Sequence, residues 1–287
     1  MTTENAVTEE ILQAALVNYL VSQARTVEAS VNRSLKAVLE RSEKLAGEVF
    51  LDEPRINEME IVIDEHAARM LRQGGLQEDD IRLLVAAIKI NNDMERMGDL
   101  AVNLGERALS LAAMGDVQTP AELEPMAAAV RAMVSKCLGA LIYRNTDLAT
   151  QVLESDDMVD GYQDQIFETL LACTAADPSQ AGPNLHFVLA SRHLERMADH
   201  ATNIAEDVLF WCEGSKSGTD GRSKTRRQPR ETPPLPARSL EVFTWRSLPV
   251  QKARLLFSLR EDKRCCVAVL QAPGCVQVNL HQWLGDV

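Results

Sequence analysis

An all-α fold is expected of this sequence, and three observations carry that expectation. The composition is rich in Ala, Leu, Met and Glu with only 4% aromatic residues, and such side chains lose little rotamer freedom in a helix. Apolar residues recur at three- and four-residue steps, with no convincing strand alternation across residues 1–214. The third observation is a duplication. Asp93-Met-Glu95-Arg-Met-Gly-Asp99 recurs as His193-Leu-Glu195-Arg-Met-Ala-Asp199, offset by 100 residues. Two tandem pseudo-symmetric three-helix bundles follow, residues 1–116 and 117–214, with residues 215–287 as a tail outside the plan.

The elements are expected in the following order. A first helix runs from about Thr8 to Leu45, its face marked by Leu12, Leu16, Tyr19, Leu20, Gln23, Val27, Val31 and Leu35. Glu9 and Glu10 suit the positive end of its dipole. Pro54 opens a second helix, which Gly74-Gly75 ends near Gln73. A third spans about Glu78 to Ala113. The scheme then repeats: a fourth helix from Pro120 to about Asp156, a fifth to about Ala175, and a sixth from about Pro183 to Cys212, stopped by Gly214. Val49–Asn57 lines up with Val152–Asp160 at an offset of 103. Short connections make neighbouring helices antiparallel.

Charge separates body from tail. Residues 215–287 hold 13 Lys/Arg and 6 Asp/Glu, which leaves 17 Lys/Arg against 36 Asp/Glu in residues 1–214. An acidic body repels nucleic acid and suits cations or basic protein surfaces. The N-terminus has neither the basic start nor the apolar core of a signal peptide. No uninterrupted apolar run reaches 18 residues, and a cytoplasmic location is expected. The six Cys show no C-x-x-C spacing and are expected as reduced thiols. Residues 215–236, rich in Ser, Gly, Arg and Pro, are expected to be disordered. Cys265–Leu270 and Val276–Leu280 are expected as short strands, too few to bury a core. So abrupt a change is what a shifted reading frame or a fused sequence would produce.

The chemistry-bearing feature is an acidic stripe. At about 100° per residue, Glu195, Glu206, Asp199 and Asn203 fall at roughly 0°, 20°, 40° and 80° around the helix. Leu194, Ala198, Ala201, Ala205 and Val208 form the adjacent apolar arc. The first copy repeats this with Glu95, Asp99, Asn103 and Glu106 beside Met94, Gly98, Ala101 and Gly105, whose small residues let helices approach closely. The fifth helix adds Asp156, Asp160, Asp164 and Glu168. The second offers Glu53, Glu60 and Asp64, with Asn57 at the place of Asp160. Carboxylates converging from facing helices bind cations, and oxygen ligands suit Mg, Ca, Mn or ferric iron better than copper. The plainer alternative is a solvated face paired to Arg96, Arg192 and Arg196.

The stretch Leu194-Glu-Arg-Met-Ala-Asp-His-Ala-Thr-Asn-Ile-Ala-Glu-Asp-Val resembles the C-terminal signature of the PhoU family of phosphate-specific transport regulators. Asp93-Met-Glu-Arg-Met-Gly-Asp-Leu-Ala-Val-Asn-Leu-Gly-Glu-Arg resembles its first-repeat copy, and the resemblance covers about residues 8–214. It implies a PhoU-like pair of three-helix bundles. It also implies a cytoplasmic regulator without enzymatic activity, one that restrains the Pst ABC transporter and the sensor kinase PhoR when phosphate is plentiful. The partners so implied are the Pst ATPase subunit and a PhoR-type histidine kinase. A homodimer is expected too, with no nucleic acid and with membrane contact only through partners. Some members of the family hold multinuclear iron or other metals in E(D)-x-x-x-D motifs. Glu95/Asp99, Glu195/Asp199 and Asp156/Asp160 match that motif, and Glu53/Asn57 does not. Iron, zinc, manganese or magnesium is therefore expected at the second repeat before the first.

Two other classes compete. Di-iron oxidases use Glu-x-x-His pairs, and none of the five His has a Glu three positions before it. A metal-free adaptor would share the fold and keep its partners without the carboxylates. His193 and His200, seven apart on one face, are expected in surface or packing roles. The sequence displays no Gly-rich or basic pocket for direct phosphate binding.

Overall fold

The computed structural model describes residues 3–115, 117–214, 254–258 and 267–271. Within the first two stretches lie seven α-helices: α1 Thr3–Glu40, α2 Glu43–Gln73, α3 Glu78–Ala113, α4 Leu123–Tyr143, α5 Thr146–Leu153, α6 Asp156–Ala176 and α7 Ala181–Gly214, with a 3₁₀ turn Pro178–Gln180 before α7.

The first helix ends earlier than its apolar pattern suggests. Arg41 takes a left-handed conformation with φ 52°, which stops α1. Ser42 then caps α2 by accepting a hydrogen bond from the Leu45 backbone N–H at 3.3 Å. The second helix therefore begins eleven residues before Pro54, and Pro54 lies inside it. A proline removes one helical hydrogen bond. Val49 and Ile56, both buried, hold the helix on either side.

The same device recurs 103 residues later. Arg144 adopts φ 49°, and the Asn145 side chain accepts from the Asp147 and Leu148 N–H groups at 2.9 and 3.1 Å. The helix expected over 120–156 is thus two, α4 and α5, and a further break at Glu154–Ser155 separates α5 from α6. The second repeat builds with α5 and α6 what the first builds with α2 alone.

Helices α1, α2 and α3 pack on one another, α4 packs on α5, α6 and α7, and α3 against α7 with α1 against α4 joins the two bundles. Side chains that meet across α3 and α7 rise in number along one helix as they fall along the other: Asp93 meets His200, and Arg107 meets His186. The two helices therefore run antiparallel. The expected apolar arcs are buried: Met94, Gly98, Ala101 and Gly105 on α3, and Leu194, Ala198, Ala201, Ala205 and Val208 on α7. Phe187 is the largest of the fully buried side chains. Helix α4 is long and apolar enough to cross a membrane by length and composition, but its apolar residues Met126, Val130, Met133, Val134 and Leu141 lie in this core. Among the described residues Cys137, Cys173 and Cys212 are free thiols, and burial pushes the Cys137 thiol far up.

Residues 224–287 form a separate unit from residues 1–223. Its described part is an antiparallel pair, β1 Arg254–Ser258 with β2 Val267–Gln271, in register from Arg254 opposite Gln271 to Ser258 opposite Val267. One of the two expected strands is present in β2. Its partner lies upstream, and Val276–Leu280 falls outside the described residues, as does the Ser/Gly/Arg/Pro-rich stretch expected to be disordered.

Candidate functional site

The acidic stripes stand where they do because α2 approaches α3 closely. A Cβ on Gly98 would lie 3.1 Å from Ile56 Cδ1, and one on Gly105 would lie 3.0 Å from Phe50 Cε1. A side chain at 98 or 105 would require Ile56 or Phe50 to shift by a few tenths of an ångström. The approach turns the next arc of α3, with Glu95 and Asp99, toward α2 at the edge of the core. In α7 the corresponding residues are Ala198 and Ala205, both buried.

In the second repeat four predicted residues share one field. Glu195 is half-buried on α7, and Asp156 and Asp160 are half-buried on α6. Burial pushes the Glu195 carboxyl up to about 7, and the Asp199 and Asp160 charges add to the rise against the pull of Arg192 and Arg196. Asp199 stands exposed at the rim, and its carboxyl is raised as well, by desolvation from the neighbouring helix and then by Asp156 and Asp160, with His200 and Arg196 opposing. Like charges at this spacing disfavour joint ionisation. Asp164 and Glu168, further along α6, are exposed, as are Asn203 and Glu206 at the far end of the α7 stripe.

The first repeat is milder and draws on a different partner. Glu95 is raised by burial and Asp99, with Arg96 opposing and Glu60 contributing. Arg96 bridges Glu95 at 3.4 Å and Asp99 at 3.5 Å, the arginine pairing that the plainer reading of the sequence expects. Glu60 is raised in turn by burial, Asp64 and Asp99. Asp64 accepts a hydrogen bond from Asn91 Nδ2 at 2.9 Å. The carboxylate facing Glu95 and Asp99 is thus Glu60, one turn beyond the Asn57 that alignment with Asp160 picks out. Its signal in the sequence is its three-residue step from Asn57 on the same helix face.

The donor chemistry of Asp156, Asp160, Glu195 and Asp199 fits a hard cation, whose charge would relieve their repulsion. The arrangement does not cage one as the side chains stand: among the described residues no three His, Cys, Asp or Glu are gathered so as to hold a metal ion.

Comparison with known proteins decides the family. The family model described as "PhoU domain" matches this chain twice, over residues 20–108 and 123–208. The chain belongs to the PhoU family. It is 32% identical over 199 residues to the phosphate-specific transport system accessory protein PhoU homolog of Pseudomonas aeruginosa, covering 69% of this chain and 82% of that protein. The homolog of Zymomonas mobilis is 32% identical over 197 residues, covering 69% and 83%. The crystal structure of PhoU from Pseudomonas aeruginosa superposes with a TM-score of 0.70 at 30% identity over 71% of this chain and 99% of that one. That of the phosphate transport system regulatory protein PhoU from Streptococcus pneumoniae gives 0.66 at 20% identity over 72% and 97%, a likeness of fold.

The seam between the two PhoU repeats holds polar residues that sequence spacing could not bring together. Asp93, buried on α3, pairs with His200 Nδ1 at 2.8 Å and accepts a longer contact from Asn203 Nδ2 at 3.5 Å. Lys89 pairs with the buried Asp207. Burial raises the Asp207 carboxyl, and Lys89 opposes the rise. His200 therefore has a partner across the seam, and His193 is half-buried in it. At the other end Arg107 Nη1 lies 3.4 Å from His186 Nδ1. Burial, with Arg107, Arg196 and Arg192 nearby, pushes His193 down to about 4.

Proposed function

We propose that this chain is a cytoplasmic regulator of phosphate uptake and phosphate-starvation signalling, acting through the transporter ATPase and a sensor histidine kinase and carrying out no catalysis itself. The observation that carries this reading is the pair of PhoU domains in tandem order, in a chain about one-third identical to proteins named accessory to a phosphate-specific transport system. The acidic body supports docking on basic protein surfaces. The test is affinity capture of the tagged chain from phosphate-replete cells. Recovery of the transporter ATPase or the sensor kinase is the expected result, and capture of neither refutes the assignment.

Cation binding is proposed at Asp156, Asp160, Glu195 and Asp199, with the Glu95/Asp99 set weaker because Arg96 already pairs it. A bound iron, zinc, manganese or magnesium ion would supply positive charge there and clamp α6 to α7. Metal analysis of protein purified without chelator, with thermal shifts in each cation, tests it. No bound metal and no shift would leave the adaptor reading in its place. Asp199→Ala separates the two further, since an adaptor keeps its partners and a metal-dependent regulator loses regulation.

A further inference from the structure

The two ends of the α3–α7 seam are related by the repeat, and their charges are opposite. Shifting by 100 residues carries Asp93 to His193 and exchanges Asp207 with Arg107. At the acidic end polar partners are built in: Lys89 pairs with Asp207, and His200 with Asp93. The equivalents of those two partners at the basic end are Leu189 and Leu100, which offer no polar group. Arg107 does hold Glu106 at 3.1 Å, but Glu106 is its chain neighbour and its side chain is half exposed, so water competes for that contact. Arg107 Nε and His193 Nδ1 are buried atoms without a hydrogen-bond partner. His186 and His193 are half-buried on one face of α7; His186 lies against the guanidinium, and His193 feels its charge. A fork of N–H donors with an imidazole beside it is suited to an anion with several oxygens, held against the negative charge of the body by directed hydrogen bonds.

We propose that the Arg107 end of the α3–α7 seam binds a small oxyanion, with Arg107 as the principal donor and His186 and His193 beside it. The anion supplies the polar partner that Lys89 and His200 supply, with opposite sign, at the other end. The proposal concerns this chain alone and is independent of which partners it has.

The experiment is equilibrium dialysis of the full chain with radiolabelled inorganic phosphate at fixed ionic strength, with acetate as a competing carboxylate. Saturable binding is expected, weakened about tenfold or more in Arg107→Gln. Leu189→Glu should weaken it comparably, because the new carboxylate stands opposite Arg107 as Lys89 stands opposite Asp207. Arg131→Gln, an exposed charge on α4, should leave it unchanged. Competition by acetate as effective as unlabelled phosphate would mark a carboxylate site and overturn the claim for a small polyoxyanion. Wild-type protein that binds no phosphate overturns it, and so does undiminished binding by Leu189→Glu, which remains decisive if Arg107→Gln does not fold.

Discussion

The two repeats share a backbone plan and differ in how their carboxylates are balanced. Around Glu95, Arg96 reaches both Glu95 and Asp99, and α2 contributes Glu60. Around Glu195 the neighbours from α6 are Asp156 and Asp160, and the Glu195 carboxyl is held at about 7. In the first repeat an arginine bridges both carboxylates of the stripe, whereas in the second the carboxylates of two helices raise Glu195 and Asp199 against the pull of Arg192 and Arg196.

The cores break the equivalence most strongly. Phe187 fills the second repeat where the first has Ala87, both fully buried. Phe187→Ala should cost about 3–5 kcal/mol, read as a lowered midpoint of chemical denaturation. A loss under about 1 kcal/mol would mean that the second bundle repacks freely around the site.

The seam comes next. Lys89→Met leaves the buried Asp207 without its cation and should cost about 1–3 kcal/mol. Asp207→Asn with Lys89→Met should recover much of that loss. A double-mutant cycle showing no coupling would remove Lys89–Asp207 from the account of the seam.

A smaller effect is expected where α2 meets α3. Alanine favours a helix over glycine by about 1 kcal/mol, but Gly98→Ala presses on the buried, β-branched Ile56 and should be net destabilising by about 1 kcal/mol. Gly105→Ala presses on the half-buried Phe50, which has room to swing, and should be close to neutral. The reverse order of the two midpoints would show that Ile56 yields more readily than Phe50.

The pH dependence follows from Glu195. Its folded value of about 7 lies above the ordinary 4.5. The protonated form is therefore favoured by folding, and stability falls as pH rises from about 4.5 through 7. Because the group is only half-buried, solvent screening reduces the loss to about 1–2 kcal/mol. Glu195→Gln should flatten that fall when stability is measured between pH 5 and pH 8, and Glu95→Gln should flatten it less.

Much of this was legible in the sequence. Apolar periodicity located the bundles, the 100-residue repeat located Glu195 and Asp199, and four-residue steps on the preceding helix located Asp156 and Asp160. Helix ends were harder. Pro54 is a strong local signal for a helix start, and it outweighed Ser42, which caps the helix twelve residues earlier. Arg144 in a left-handed conformation carries no glycine to announce it, so α4 and α5 read as one helix. Glu60 was overshadowed by Asn57, because alignment matches residues by number while packing matches them by face. The seam was hidden for a different reason: Arg107, His186 and His193 meet only when α3 and α7 run antiparallel, and spacing along one helix cannot reveal that.

The most direct measurement is a carbon-detected NMR titration of the Glu95 and Glu195 side-chain carboxyls in the metal-free protein. The account expects Glu195 to titrate near 7, above Glu95, and to fall when a divalent cation is added. Two carboxyls titrating together at the ordinary glutamate value would contradict it, because the repeats would then be balanced alike.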